Sequence, residues 1–115
     1  MKELNDVKDV VEEIDHCMKD LKTCVHGRTL PSGRELYCDP QLFINYVRNL
    51  FKAIRLLPKL YFNSEEERQI YHCEREAIED MAKESCKKDG DVERIAYYYL
   101  NEIENIIHNI HSKVK

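Results

Sequence analysis

The sequence predicts an all-α protein: a four-helix bundle with a long loop between its first and second helices. Three observations predict it. The 115 residues hold only three glycines and three prolines, and 35% are charged, a composition that favours long, solvated helices over many tight turns. Apolar residues recur at alternating steps of three and four along several stretches, the period of one helix face. One long interruption, "VHGRTLPSGRELY" at 25–37, carries Gly27, Pro31 and Gly33 and breaks that period. The length suits a single domain, 1–115.

The first helix is expected over about 3–22. Leu4, Val7, Val11, Ile14, Met18 and Leu21 form an a/d seam, flanked by a column of Val10, Cys17 and Cys24. Such a seam serves either a monomer's core or a dimer. The second helix, about 40–58, opens on Asp39 as N-cap with Pro40 at the first helical position. It presents Leu42, Phe43, Tyr46, Val47, Leu50, Phe51, Ile54 and Leu57, and should stop at Pro58. "FNSEEE" starts the third, about 64–88, with Asn63 or Ser64 as cap and acids where the helix dipole favours them. After the short turn "KDGD", the fourth runs over about 91–113, with Ala96, Tyr99, Ile103, Ile106 and Ile110 widened by Ile95 and Ile107.

Short turns make helices two and three, and three and four, antiparallel neighbours. The first loop is free to do either of two things. Fifteen extended residues reach roughly 50 Å, against roughly 30 Å for a twenty-residue helix. The loop is expected to cross the bundle, leaving the first two helices parallel; folding over one end is the alternative.

That choice governs the five cysteines. "DHCMKDLKTCVHG", residues 15–27, places Cys17 and Cys24 about 10 Å apart along one helix, too far to bond each other. A crossing loop levels Cys17 with Cys73 and Cys38 with Cys86, giving two disulfides and leaving Cys24 free. A folded loop favours Cys24 with Cys38. Reduced thiols packed as small apolar groups are the alternative to any disulfide. Crossing would also align the dipeptides His16–Cys17 and His72–Cys73, four zinc-ligand types. Neighbours on a helix point about 100° apart, however, and no CxxC occurs, so a metal is not favoured.

Glu104, His108 and His111 share a face of the fourth helix and read as a solvated surface. The chain has no nucleotide-binding loop, no GxSxG turn and no HExxH. We therefore expect no catalysis and no cofactor. Nothing is apolar enough to span a bilayer, and "MKELNDVKDVV" lacks a signal peptide's core. No membrane is expected, and a cytoplasmic site is preferred to that of a secreted mature chain.

The mild net charge of −4 conceals one asymmetry: residues 40–63 carry four bases and no acid. Arg48, Lys52, Arg55 and Lys59 step along the second helix as a ridge. It either pairs with acidic neighbours inside the bundle or meets an acidic protein partner. A nucleic-acid backbone is less favoured, because four cations on a net-acidic chain make a thin footprint and no aromatic platform lies among them. Of Tyr97, Tyr98 and Tyr99, the first two should include an exposed ring suited to an interface.

These features point to a non-catalytic helical protein–protein interaction module, with a homodimer as one of its arrangements. The first alternative is a secreted, disulfide-stapled ligand. In helix count and long first loop the chain resembles short-chain helical cytokines, although "KDGD" is shorter than their crossovers and no N-glycosylation acceptor occurs. The second alternative is a nucleic-acid-binding protein that uses the basic ridge.

Overall fold

Asp39 begins the second helix as its composition demands. Its carboxylate accepts the backbone N–H groups of Gln41 at 2.8 Å and Leu42 at 3.3 Å, so two of the four donors left open at a helix start are satisfied. The third helix opens on a capping box. Asn63 accepts from the Glu66 backbone at 2.8 Å, and the Glu66 side chain accepts from the Asn63 backbone at 3.1 Å. Local chemistry of this kind sets the element order in a computed structural model that describes residues 7–29, 31–33, 35–36 and 38–114.

The helices are α1 (Val7–His26), α2 (Pro40–Ile54), α3 (Ser64–Ser85) and α4 (Val92–Val114). A 3-10 turn, Lys59–Tyr61, lies between α2 and α3. Two short strands, β1 (Arg28–Thr29) and β2 (Glu35–Leu36), occupy the first loop. No helix among the described residues is long and apolar enough to cross a membrane.

The first loop does not cross the bundle. β1 and β2 pair antiparallel, Arg28 with Leu36 and Thr29 with Glu35, so the chain returns to the end of α1 before α2 begins. Helix α1 packs on α2 and α4, and α3 packs on α2 and α4. Pairs between elements give the direction. Asp15 meets His111 and Lys22 meets Glu104 across α1 and α4. Glu66 meets Lys113 and Asp80 meets Tyr99 across α3 and α4. These pairs set α4 antiparallel to both α1 and α3, and the hairpin sends α2 back along α1, so the arrangement is up-down-up-down. A crossing loop with α1 and α2 parallel is thereby corrected: loop length permits it, but strand pairing closes the hairpin.

Helix ends also depart from expectation. Helix α1 runs a turn further than predicted and ends against Gly27, which adopts a left-handed φ of 69° and donates to the Thr23 carbonyl at 3.1 Å. Helix α2 stops at Ile54, short of Pro58, because the residue before a proline is pushed out of helical geometry and the last turn unwinds ahead of it. Helix α3 ends at Ser85, with Lys83 in its last turn and Lys87 and Lys88 beyond it. A Cβ on Gly90 would fall 2.0 Å from the Glu84 carbonyl oxygen, so glycine is required for the chain to turn this closely into α4.

The core is built from one stripe of each helix. Phe43, Phe51, Ile14, Leu21, Leu50, Met81 and Ile103 are fully buried, each stabilising by about 1.5–3 kcal/mol relative to exposure. On α1 the stripe is rotated from the predicted seam. Val10 and Cys17, expected to flank it, are buried, while Val7 and Val11 are half-buried. Leu4, the seam's first member, lies outside the described residues.

Candidate functional site

The seven residues Leu56, Leu57, Pro58, Lys59, Leu60, Tyr61 and Phe62 carry the chain from α2 into α3. Five are apolar or aromatic besides the proline, and the turn is too tight for all of them to face inward. Leu57 is buried and Phe62 half-buried, whereas Leu56 is 50% exposed and Leu60 83% exposed. Across from them on α3, Tyr71 is 59% exposed. Solvated surfaces rarely gather such residues without a use for them.

Between these elements lies a groove of about 280 Å³. Ile54, Leu57, Phe62 and Ile70 supply its apolar surface and Tyr71 an aromatic wall, while Arg55, Lys59, Glu67 and Glu74 give it a charged rim. The volume is small for a cofactor cleft and suits one bulky side chain of a partner.

The rim is electrostatically ordered. Both terminal nitrogens of Arg55 donate to Glu74, one at 2.9 Å. Burial pushes the Glu74 carboxyl upward, against the opposing pull of Arg55 and Arg48. Lys59 and Lys52 make no ion pair among the described residues. Thus Arg55 is committed within the bundle, and Lys59 presents the uncommitted charge beside the groove.

The predicted partner-binding residues do not form one patch. Arg48, Arg55 and Lys59 lie toward α3, while Lys52 lines the separate groove between α1 and α2. Tyr97 is exposed and pairs with His26, ring nitrogen to hydroxyl at 3.3 Å. Tyr98 is exposed over the α3–α4 groove and packs edge-on against buried Tyr99. That groove, of about 810 Å³, is open and acidic, with Glu65, Glu76 and Glu102 among its walls.

All five cysteines are free thiols. Cys17 faces α2 beside Tyr46 and Ala53, and Cys73 lies in the α3–α4 groove near Glu102. The pairs Cys17–Cys73 and Cys38–Cys86 are not made. Antiparallel α1 and α2 put the first two thiols in different grooves, and at the other pair Cys38 is buried while Cys86 is exposed. The same separation parts His16–Cys17 from His72–Cys73. His16 instead pairs with Asp20 at 3.7 Å, and His72 packs edge-on against Tyr71. No group of three or more metal-binding side chains occurs among the described residues.

Burial and the neighbouring Glu13 raise the Cys17 thiol to about 11, and burial with Glu102 raises Cys73 to about 12. Neither is a ready nucleophile. The face of Glu104, His108 and His111 turns toward α1, where Glu104 meets Lys22 at 3.7 Å and His111 meets Asp15 at 2.7 Å. It fastens two helices together.

Leu60 and Tyr71 were absent from the residues expected to bind a partner. A signal existed in "LLPKLYF": a proline-bearing turn with more apolar residues than a turn can bury. No protein family model, curated protein or solved structure matches the chain.

Proposed function

We propose that this chain is a non-catalytic helical interaction module. It seats a bulky apolar side chain of an acidic, amphipathic partner segment in the corner between α2 and α3. The observation carrying this reading is the exposed Leu60 beside a groove of about 280 Å³ walled by Leu57, Phe62, Ile70 and Tyr71. An apolar anchor surrounded by a polar rim is the usual anatomy of a protein-binding hot spot. Charge supports an acidic partner at one point: Arg55 is held by Glu74, and Lys59 is the rim cation that makes no ion pair among the described residues.

A second copy of the chain is the other occupant with matching charge, because the α3–α4 groove carries Glu65, Glu76 and Glu102. Nucleic acid is less well supported, since Arg55 spends its charge on Glu74. A secreted ligand gains no support from the five free thiols.

Calorimetric titration with an acidic amphipathic helical peptide tests the reading. We expect binding that the double variant Lys59→Glu, Leu60→Ser weakens at least tenfold. Equal binding by that variant, or binding only to a basic peptide or to duplex DNA, overturns it. Sedimentation over a range of concentrations separates the homodimer, which the same variant should dissociate.

A further inference from the structure

The hairpin that corrects the topology also brings two thiols together. Cys24 sits in the last turn of α1, and Cys38 lies two residues after β2 and two before α2. With Arg28 opposite Leu36, both occupy the neck where the hairpin leaves the bundle. Each of the two thiols is the leading electrostatic influence on the other. No other two cysteines among the described residues influence one another in this way. Cys17 bonds Glu13, Cys73 lies in the α3–α4 groove, and Cys86 is exposed.

We propose that Cys24 and Cys38 are a redox-active dithiol, converted by a low-molecular-weight disulfide such as oxidised glutathione into an intramolecular disulfide that clamps the hairpin neck.

The pair has the asymmetry such chemistry needs. Cys24 is half-buried and open to an attacking reagent, while Cys38 is 5% exposed and held behind it. The neighbouring Cys38 thiol lowers the Cys24 thiol, while Cys24, burial and the nearby carboxylates of Asp39 and Glu93 raise Cys38. Asp39 also faces Cys24. Cys24 is therefore the nucleophile and Cys38 the resolving thiol.

The exchange balances. The Cys24 thiolate attacks one sulfur of glutathione disulfide; a Cys24–glutathione bond forms, the reagent's S–S bond breaks, and one glutathione leaves as thiolate. That thiolate takes the Cys38 proton. Cys38 sulfur then attacks Cys24 sulfur, forming the internal bond and expelling the second glutathione, which takes up the proton Cys24 had lost. The dithiol loses two electrons, and one glutathione disulfide becomes two glutathiones.

The test uses the full reduced chain, incubated with oxidised glutathione, unfolded, alkylated and mapped by peptide mass. We expect three labelled thiols, Cys17, Cys73 and Cys86, and one linked peptide joining Cys24 to Cys38. Cys38→Ser should halt with glutathione retained on Cys24. The oxidised chain should melt roughly 10 °C above the reduced one, because the bridge restricts the unfolded hairpin. Five labelled thiols overturn the proposal, as does a bridge between other cysteines or glutathione found on Cys86 alone. The wild-type peptide map decides even if a serine variant does not fold.

Discussion

Arg55 at the end of α2 holds Glu74 of α3, a carboxylate whose side chain is only 13% exposed. The pair closes one side of the groove and joins the two helices that form it. Removing the cation leaves a mostly buried acid with weaker compensation. We predict that Arg55→Met costs about 1–2 kcal/mol, while Arg48→Met stays within about 0.5 kcal/mol. Urea unfolding measures both. A double-mutant cycle with Glu74→Gln should be strongly non-additive.

Glu66 gives the bundle a defined sensitivity to acid. Hydrogen bonds from Lys113, the Asn63 backbone and Asn109 hold its carboxyl at about 2, below the ordinary 4.5. The folded state therefore binds this proton less readily than the unfolded chain. The stability it contributes is complete above about pH 4.5 and is lost as pH falls toward about 2. Urea midpoints measured across that window should fall more steeply for the wild type than for Glu66→Gln. Parallel curves contradict the assignment.

Much of the fold was legible because its signals are local. Asp39–Pro40 and Asn63 with Glu66 act within one turn of chain, and both caps form as read. The loop was not legible, because Arg28 finds Leu36 only through a pairing eight residues away, and length alone permits either path. The error carried over to Cys17–Cys73 and to the two His–Cys dipeptides, whose alignment depended on a crossing. The site was half legible. Arg55 and Lys59 came from helical spacing, but Tyr71 belongs to another element, and its place in the same groove as Lys59 is a tertiary fact. Pro58 signals a helix stop locally, and helical spacing does not show that the apolar residues around it form a surface.

The close turn at Gly90 should tolerate no side chain. Gly90→Ala places a methyl against the Glu84 backbone, and that residue's carboxylate already accepts from the Asp91 backbone at 2.9 Å and from Lys87 at 3.1 Å. We predict a loss of about 1–3 kcal/mol by thermal or urea unfolding, with the helix content of the folded chain retained. A neutral substitution contradicts the turn geometry.

Leu57 and Leu60 separate stability from binding. Leu57 is 4% exposed and Leu60 83%. Leu57→Ala should cost about 2–5 kcal/mol, whereas Leu60→Ser should change stability by no more than about 0.5 kcal/mol. If both destabilise equally, Leu60 packs within the fold and its use as an anchor fails.

The most direct test of the central claim is an amide chemical-shift map of the reduced, full-length chain, titrated with an acidic amphipathic peptide. The account predicts saturable shifts confined to Leu56–Phe62 and to the Ile70–Glu74 turn of α3, abolished in Lys59→Glu, Leu60→Ser. Shifts centred on the α3–α4 groove, or none at the corner, would contradict it.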